Sequence, residues 1–342
     1  MIGVRSGAPR RARLAALGAH VPDRVVTNAD LERIVDTDDE WIVSRTGIRE
    51  RRWAAPEEAS SDLGLIAGRR ALERAGVDAA DLDLIIVPSA TPDHLFPSTA
   101  AIIANAMGAE RAAAYDLLAA CSGFVYGVSQ GAAMIEAGFA SRVLVIGAEV
   151  LSHVIDMSDR TTCVLFGDAA GAALLVPGDP QTTTGFLGFE IGADGSGGDD
   201  LIIPAGGGRM PMSCAASPSD GFLQMKGAEV FRFATRAMVD SVRRLLDAVD
   251  VTLDDIDLVV PHQANIRIID HAAARLGIPE SKLFNNLEHY GNTSSASIPL
   301  ALTEARDAGR LRPGDLVLMV GFGAGLTWGS TVVRYEPVEV TA

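Results

Sequence analysis

Nowhere does the chain hold about twenty consecutive apolar residues, the length a bilayer-spanning helix needs, so no transmembrane segment is expected among its 342 residues. Met1 to Arg13 carries Arg5, Arg10, Arg11 and Arg13, but no apolar core with a cleavage site follows. A soluble, cytoplasmic protein is the expectation. Cysteine is scarce. Cys121, Cys163 and Cys214 lie far apart without CxxC or CxxH spacing, which excludes a disulfide framework and a structural zinc site as readings. Positive charge is also in short supply. The formal net charge of −15 argues against general nucleic-acid binding, which needs a basic footprint. An acidic partner remains open, because docking depends on local patches. Arg45, Arg49, Arg51 and Arg52 form one candidate patch, with a solvated arginine-rich loop as the alternative. No low-complexity linker divides the chain, and a hydrophobic content of 48% is enough for a large core.

What is present is, first, Cys121 in a telling context. The run Ala112 to Ala120 is small and apolar enough for a buried strand, and it stops at Cys121-Ser122-Gly123. Phe124 to Glu136 then reads as a Gly- and Ala-rich helix. A thiol at a strand-to-helix corner meets unpaired backbone N–H groups and the positive end of the helix dipole. Both favour thiolate and nucleophilicity. The other reading of a lone cysteine is a small buried hydrophobe.

The chain also repeats itself. Asp81-Leu82-Asp83-Leu84-Ile85-Ile86-Val87 has a counterpart in Asp255-Ile256-Asp257-Leu258-Val259-Val260-Pro261, and Val143 to Gly147 has one in Val317 to Gly321. Both pairs share a spacing of 174 residues, near half the length, which points to two copies of one α/β unit. A helical stretch precedes each copy, Ser61 to Ala75 and Gly227 to Val249. The strands are continuous apolar runs, as expected when helices cover both faces of a sheet. The division expected is 1–180 and 181–342, with Gly185 to Ser219 read as connecting loops with short strands.

Related halves place a site where they meet, at the C-terminal ends of strands. His262 follows the strand Leu258 to Pro261, Asn292 lies in a turn before a helix, and Gly321-Phe322-Gly323-Ala324-Gly325 closes the last strand. Glycines there let backbone approach a ligand. A structural histidine, a turn asparagine and ordinary loop glycines are the plainer readings. The glycine run is no dinucleotide fingerprint, because the chain ends soon after it. Together with Cys121 these groups supply a nucleophile, an imidazole, a neutral amide donor and an oxyanion hole.

With these residues, the chain resembles the β-ketoacyl-[acyl-carrier-protein] synthase III family of thiolase-fold condensing enzymes from about Leu14 to Arg334. Five motifs stand in the family's order: Asp36 to Ile48 (DTDDEWIVSRTGI), Ala119 to Phe124 (AACSGF), Phe166-Gly167-Asp168, Pro261 to Asn265 (PHQAN) and Tyr290 to Ser294 (YGNTS). The resemblance implies a duplicated, layered α-β-α-β-α fold and a homodimer without cofactor or metal. It implies that Cys121 takes an acyl group from acyl-CoA, while His262 and Asn292 hold the malonyl thioester of an acyl carrier protein as it loses CO2. Two neutral N–H donors stabilise the enolate without protonating its carbon. The oxyanion hole would be the backbone N–H groups of Cys121 and Ala324. A second cysteine in place of Asn292 would instead suggest a thiolase, a glutamate base a hydroxymethylglutaryl-CoA synthase, and an aspartate an acyltransferase.

The resemblance further implies that Trp41, Arg45 and Arg160 receive the adenine and phosphates of CoA, and that Gly227, Ala264 and Asn265 line a pantetheine channel. An indole and a guanidinium can stack on a purine, and arginine suits phosphate. Ala228 stands where the family often has asparagine, so one pantetheine hydrogen bond is expected to be missing or carried by water. Phe96 would line the acyl pocket of the partner subunit. Arg232, Arg267 and Arg275 would receive the acidic carrier protein, with solvated helix arginines as the alternative. Initiation of fatty-acid synthesis is the expected role. A specialised relative in polyketide or other secondary metabolism is the second reading, and a non-catalytic scaffold a third, disfavoured by the presence of Cys121.

Overall fold

Asp83 and Asp257 make the same connection in two places. Asp83 accepts hydrogen bonds from Ser141 N–H (2.7 Å) and Arg142 N–H (3.0 Å) and donates its own N–H to the Arg142 carbonyl (3.0 Å). Asp257 accepts from Leu316 N–H (2.8 Å) and donates to the Leu316 carbonyl (2.9 Å). Each aspartate thereby sets the start of a parallel strand pair, Leu84–Pro88 beside Val143–Glu149 and Leu258–Pro261 beside Leu316–Gly323. The repeat legible in the sequence is a repeat of structure.

The computed structural model describes residues 11–179 and 184–338. Its first sheet has the order Ala12–His20, Ala169–Pro177, Val143–Glu149, Leu84–Pro88, Ala113–Leu117, with the last three strands parallel. The second has the order Leu258–Pro261, Leu316–Gly323, Thr327–Arg334, Gly185–Ala193, the same sequence of directions short of one edge strand. A single parallel bridge, Val259 to Leu283, stands at that edge.

Helices fill three layers around these sheets. Ser60–Ala75 and Thr99–Met107 cover the first sheet and share a core with it around Leu63, Ile103 and Ile146. Gly227–Val249, packed on Ile266–Leu276, covers the second around Phe233, Val242 and Leu318. Between the sheets lie Gly123–Glu136 and Ser297–Asp307, in a core that joins Val145, Phe124, Leu302 and Met319. This is the α-β-α-β-α arrangement. The glycines of the middle helix explain how it fits. A Cβ on Gly123, Gly127 or Gly131 would lie within 2.7–2.9 Å of Pro88, Val145 or Leu175. Residues four apart share a helix face, so this stripe brings backbone against the first sheet.

Three expectations need correction. Gly185–Ala193, read as part of connecting loops with short strands, is a full strand paired with Thr327–Arg334. Its glycines hid it from the sequence: a Cβ on Gly188 would meet Val249 at 2.5 Å, and one on Gly192 the Trp328 ring at 2.3 Å. They are there for close approach. The run Ala112 to Ala120 does form a strand, Ala113–Leu117, but its residues are exposed or half-buried, because it is the sheet's edge. The cluster Arg45, Arg49, Arg51, Arg52 is no common surface patch. Arg51 is wholly buried, donating to the carbonyls of Val26 (3.3 Å) and Val164 (2.8 Å) and to Asn28 Oδ1 (2.8 Å). Burial lowers its pKa to about 10. The expected division at 180/181 falls on residues 180–183, outside the described residues. No described helix is long and apolar enough to cross a membrane.

Candidate active site

The edge strand Ala113–Leu117 delivers the chain to a tight turn, Ala120–Ser122, from which Gly123–Glu136 departs. Ala120 takes a left-handed φ of +44°, a conformation costing a non-glycine residue about 1–3 kcal/mol. What holds the turn is the second half. A Cβ on Gly323 would lie 2.6 Å from the Cys121 nitrogen, and one on Gly321 would lie 3.3 Å from the Cys121 oxygen. The glycines expected to admit a ligand also admit the turn of Cys121. The Ser122 and Thr327 hydroxyls meet at 2.8 Å across the same seam.

Cys121 is buried, and burial pushes its thiol up to about 12. Desolvation of the charged form works against the thiolate that the helix terminus favours.

His262 leaves the strand Leu258–Pro261 and is buried beside the edge of Phe322, with ring centroids 5.4 Å apart. Its Nδ1 lies 2.7 Å from the hydroxyl of Ser297, the first residue of the helix Ser297–Asp307. Gln263 N–H approaches that oxygen at 3.5 Å; with the serine hydrogen directed at Nδ1, the ring hydrogen sits on Nε2. Nε2 has no hydrogen-bond partner and is buried. With no opposing charge to support an imidazolium, burial drives the pKa down to about 3. The group is a neutral N–H donor lacking an acceptor.

Asn292 is fixed by two kinds of bond. Its backbone is stitched to the Phe166-Gly167-Asp168 motif: Asn292 N–H donates to the Leu165 carbonyl (2.8 Å), and Gly167 N–H to the Asn292 carbonyl (3.0 Å). A Cβ on Gly167 would fall 2.2 Å from the Tyr290 oxygen, which is why the motif has glycine there. Asp168, buried, accepts from Ala54 N–H (2.8 Å), Ser152 N–H (2.9 Å) and the Ser152 hydroxyl, anchoring the segment. The side chain is set by Ser294, whose N–H donates to Asn292 Oδ1 (2.9 Å). That leaves the Nδ2 hydrogens free to point elsewhere.

All three groups border one cavity of about 360 Å³. Trp41, Arg45, Gly227, Ala264 and Asn265 line it as well. Asn265 is engaged at both ends of its amide, capping Arg267 N–H (2.9 Å) and donating to the Arg45 carbonyl (3.1 Å). Arg160 is outside the lining: its guanidinium sits 5.2 Å over the Trp41 ring and donates to the Asp36 carbonyl (3.0 Å). A purine entering between them has to lift Arg160 away.

A second cavity, about 410 Å³, reaches Cys121 from the other side. Leu118, Leu151, Leu201, Ile202 and Leu223 line it, with Ala324 beside the thiol, and no charged side chain contributes. Sequence reasoning missed these apolar residues, because Leu201 to Leu223 lies in irregular chain without a period. Phe96 lines neither cavity and is 84% exposed. Arg267 and Arg275 are exposed, while Arg232 is paired with Glu229 of its own helix (2.5 Å). Among the described residues, no cluster of His, Cys, Asp and Glu could hold a metal.

A cysteine and two neutral N–H donors at the junction of two related halves define a thiolase-fold condensing enzyme. The family described as 3-oxoacyl-[acyl-carrier-protein] synthase III matches residues 115–195, and its C-terminal counterpart matches residues 246–335. The chain is 53% identical over 324 residues to the β-ketoacyl-[acyl-carrier-protein] synthase III of Symbiobacterium thermophilum, covering 94% of this chain and 97% of that one. The crystal structure of the Thermus thermophilus synthase III is 49% identical, with a TM-score of 0.88 over 94% of this chain and 99% of that one. The priming β-ketosynthase of the R1128 polyketide pathway is 39% identical, with a TM-score of 0.89 over 98% and 99%. This chain belongs to the 3-oxoacyl-[acyl-carrier-protein] synthase III family.

Proposed function

We propose that the family's decarboxylative condensation of acyl-CoA with malonyl-acyl carrier protein runs in this chain on Cys121, His262 and Asn292. The observation that carries this reading is their convergence on one cavity, each donor held from behind by a serine. Cys121 attacks the thioester of acyl-CoA, and its proton leaves with the CoA sulfur. The acyl group occupies the apolar cavity, and malonyl-carrier protein follows through the channel past Trp41. His262 Nε2–H and Asn292 Nδ2–H bind the malonyl thioester oxygen. The C–C bond to CO2 breaks and its electrons form the enolate, whose charge those donors stabilise. The enolate carbon attacks the acyl-Cys121 carbonyl, and the C–S bond breaks to release β-ketoacyl-carrier protein and the Cys121 thiolate, which takes a proton from water to restore the thiol. Backbone N–H groups of Cys121 and Ala324 receive the oxyanion of each tetrahedral intermediate.

The partners follow from surface features. The strand Ala113–Leu117 has one unpaired edge, flanked by exposed Leu95, Phe96 and Leu118, which suits a second copy of the chain. Leu118 also lines the apolar cavity, so that copy would complete the acyl pocket with its Phe96. Arg232, Arg267 and Arg275 are the proposed docking surface for the acidic carrier protein. Initiation of fatty-acid synthesis is the role we assign. Likeness to the R1128 priming ketosynthase supports a second reading, priming of a polyketide by the same chemistry.

The test is release of CO2 by the purified protein. CO2 and β-ketoacyl-carrier protein should form together, and only when acyl-CoA and malonyl-carrier protein are both present. Acyl transfer to an acceptor without CO2 would overturn the reading. The pH profile is a further check. Neutral His262 gives no acid limb to kcat/KM between about pH 5 and 7, where an ordinary histidine at about 6.5 would. Stability behaves differently. The unfolded imidazole binds a proton near 6.5 that the folded one refuses down to about 3, so His262's contribution is complete above 6.5 and lost as pH falls. His262→Gln should flatten that acid-side slope in denaturant titrations.

A further inference from the structure

Glu149 ends the strand Val143–Glu149 and is wholly buried, yet the mechanism above gives it no part. No ion pair among the described residues includes it. Its two oxygens face different halves of the molecule. Oε2 accepts from Ala90 N–H (3.0 Å) and the Thr91 hydroxyl (2.9 Å). The Ser89 hydroxyl, 3.3 Å away, has a nearer acceptor in the Ala148 carbonyl (2.7 Å). Oε1 faces Ser295, with the hydroxyl at 2.7 Å and the N–H at 3.3 Å. That same hydroxyl lies 2.9 Å from the Pro88 carbonyl.

Counting hydrogens at Ser295 favours one of the two forms of Glu149. Ser295 has one hydroxyl hydrogen and two oxygens within reach. With a carboxylate at 149, one of those short contacts has no hydrogen in it. With a carboxylic acid, Oε1–H donates to Ser295 Oγ, and Ser295 passes its own hydrogen to Pro88. Every contact is then filled.

We propose that Glu149 is a positioning residue that works as a neutral carboxylic acid. It ties Ser295, and with it the loop bearing Asn292, to the 88–91 loop of the first half, without placing negative charge behind Cys121. The proposal rests on the roles assigned above to Cys121 and Asn292. Sulfur carries negative charge once it gives up its proton to attack, and an ionised Glu149 would oppose that charge across a buried, poorly screened gap. The acid gives the hydrogen bonds without the repulsion. Burial also favours the neutral form.

Titratable groups stand on several elements around it. Cys121 is in the nucleophile turn, Asp168 precedes Ala169, which pairs with Glu149, and His153 is in the turn that follows. Asp62 in the first turn of Ser60–Ala75 is exposed, and Tyr126 on the middle helix donates to the Gly192 carbonyl. Loops 88–91 and 292–296 contribute none.

The direct test is infrared spectroscopy of the full protein in D2O at neutral pH, as a difference between wild type and Glu149→Gln. Subtraction cancels Asp168, the other buried carboxyl among the described residues. A protonated carboxylic-acid C=O band present only in wild type is expected; its absence overturns the proposal. Kinetics give the second readout. Glutamine reproduces the acid, accepting at Oε1 and donating to Ser295 from Nε2, and loses only the long Ser295 N–H contact. Glu149→Gln should keep condensation within about threefold. Glu149→Leu should lose about tenfold or more in condensation with acylation of Cys121 little changed, as displacement of Asn292 requires. Glutamine as damaging as leucine would overturn the proposal. Should the leucine variant not fold, the glutamine variant and the band still decide. A wild type that never acylates Cys121 would instead sink the underlying reading, and the band would report on Glu149 regardless.

Discussion

Cys121→Ala yields no acyl-enzyme with any acyl-CoA, and turnover falls by more than about 10³-fold, the order of effect expected when a covalent nucleophile is removed. The fold should survive. The turn is held by contacts of the backbone and of Ser122 with Gly321, Gly323 and Thr327, none of which uses the sulfur. Equal thermal midpoints for variant and wild type, alongside the lost adduct, would separate chemistry from folding. The resting thiol is held near 12, so wild-type Cys121 should also react slowly with iodoacetamide at neutral pH.

Asn292→Ala keeps acylation and loses condensation. Its Nδ2 is one of two donors facing the cavity, and removing one such donor costs about 10²–10³ in rate. The Asn292 backbone bonds to Leu165 and Gly167 do not depend on the side chain, so the local strand bridge persists. Stopped assays should therefore show an acyl-Cys121 adduct at close to the wild-type rate and little β-ketoacyl product. Normal condensation by this variant would place decarboxylation elsewhere.

Sequence alone exposed the parts of this molecule written in contiguous residues. The 174-residue repeat is visible because its matched strand segments are continuous apolar runs and the first of each pair is preceded by an aspartate with a fixed backbone task. Cys121, His262 and Asn292 were each legible in a motif, and the fold brings all three to one cavity. What stayed hidden is tertiary. The strand Gly185–Ala193 was lost because close packing against Val249 and Trp328 demands glycine, which reads as loop. Arg51 read as a surface charge, because nothing local announces the backbone carbonyls of Val26 and Val164 that enclose it. Ser297 sits 35 residues from the imidazole it orients, and Glu149 is 146 residues from Ser295. The second cavity is assembled from apolar residues far apart in the chain, so its shape has no signature in any one segment.

The central claim is that Cys121 carries the acyl group between two substrates. Intact-protein mass spectrometry over a single turnover tests it most directly, with short acyl-CoAs added first and malonyl-carrier protein second. The account predicts one acyl adduct per chain, mapped to Cys121, that vanishes as β-ketoacyl-carrier protein appears. An adduct on another residue, or product formed while the Cys121 adduct persists unchanged, would contradict it.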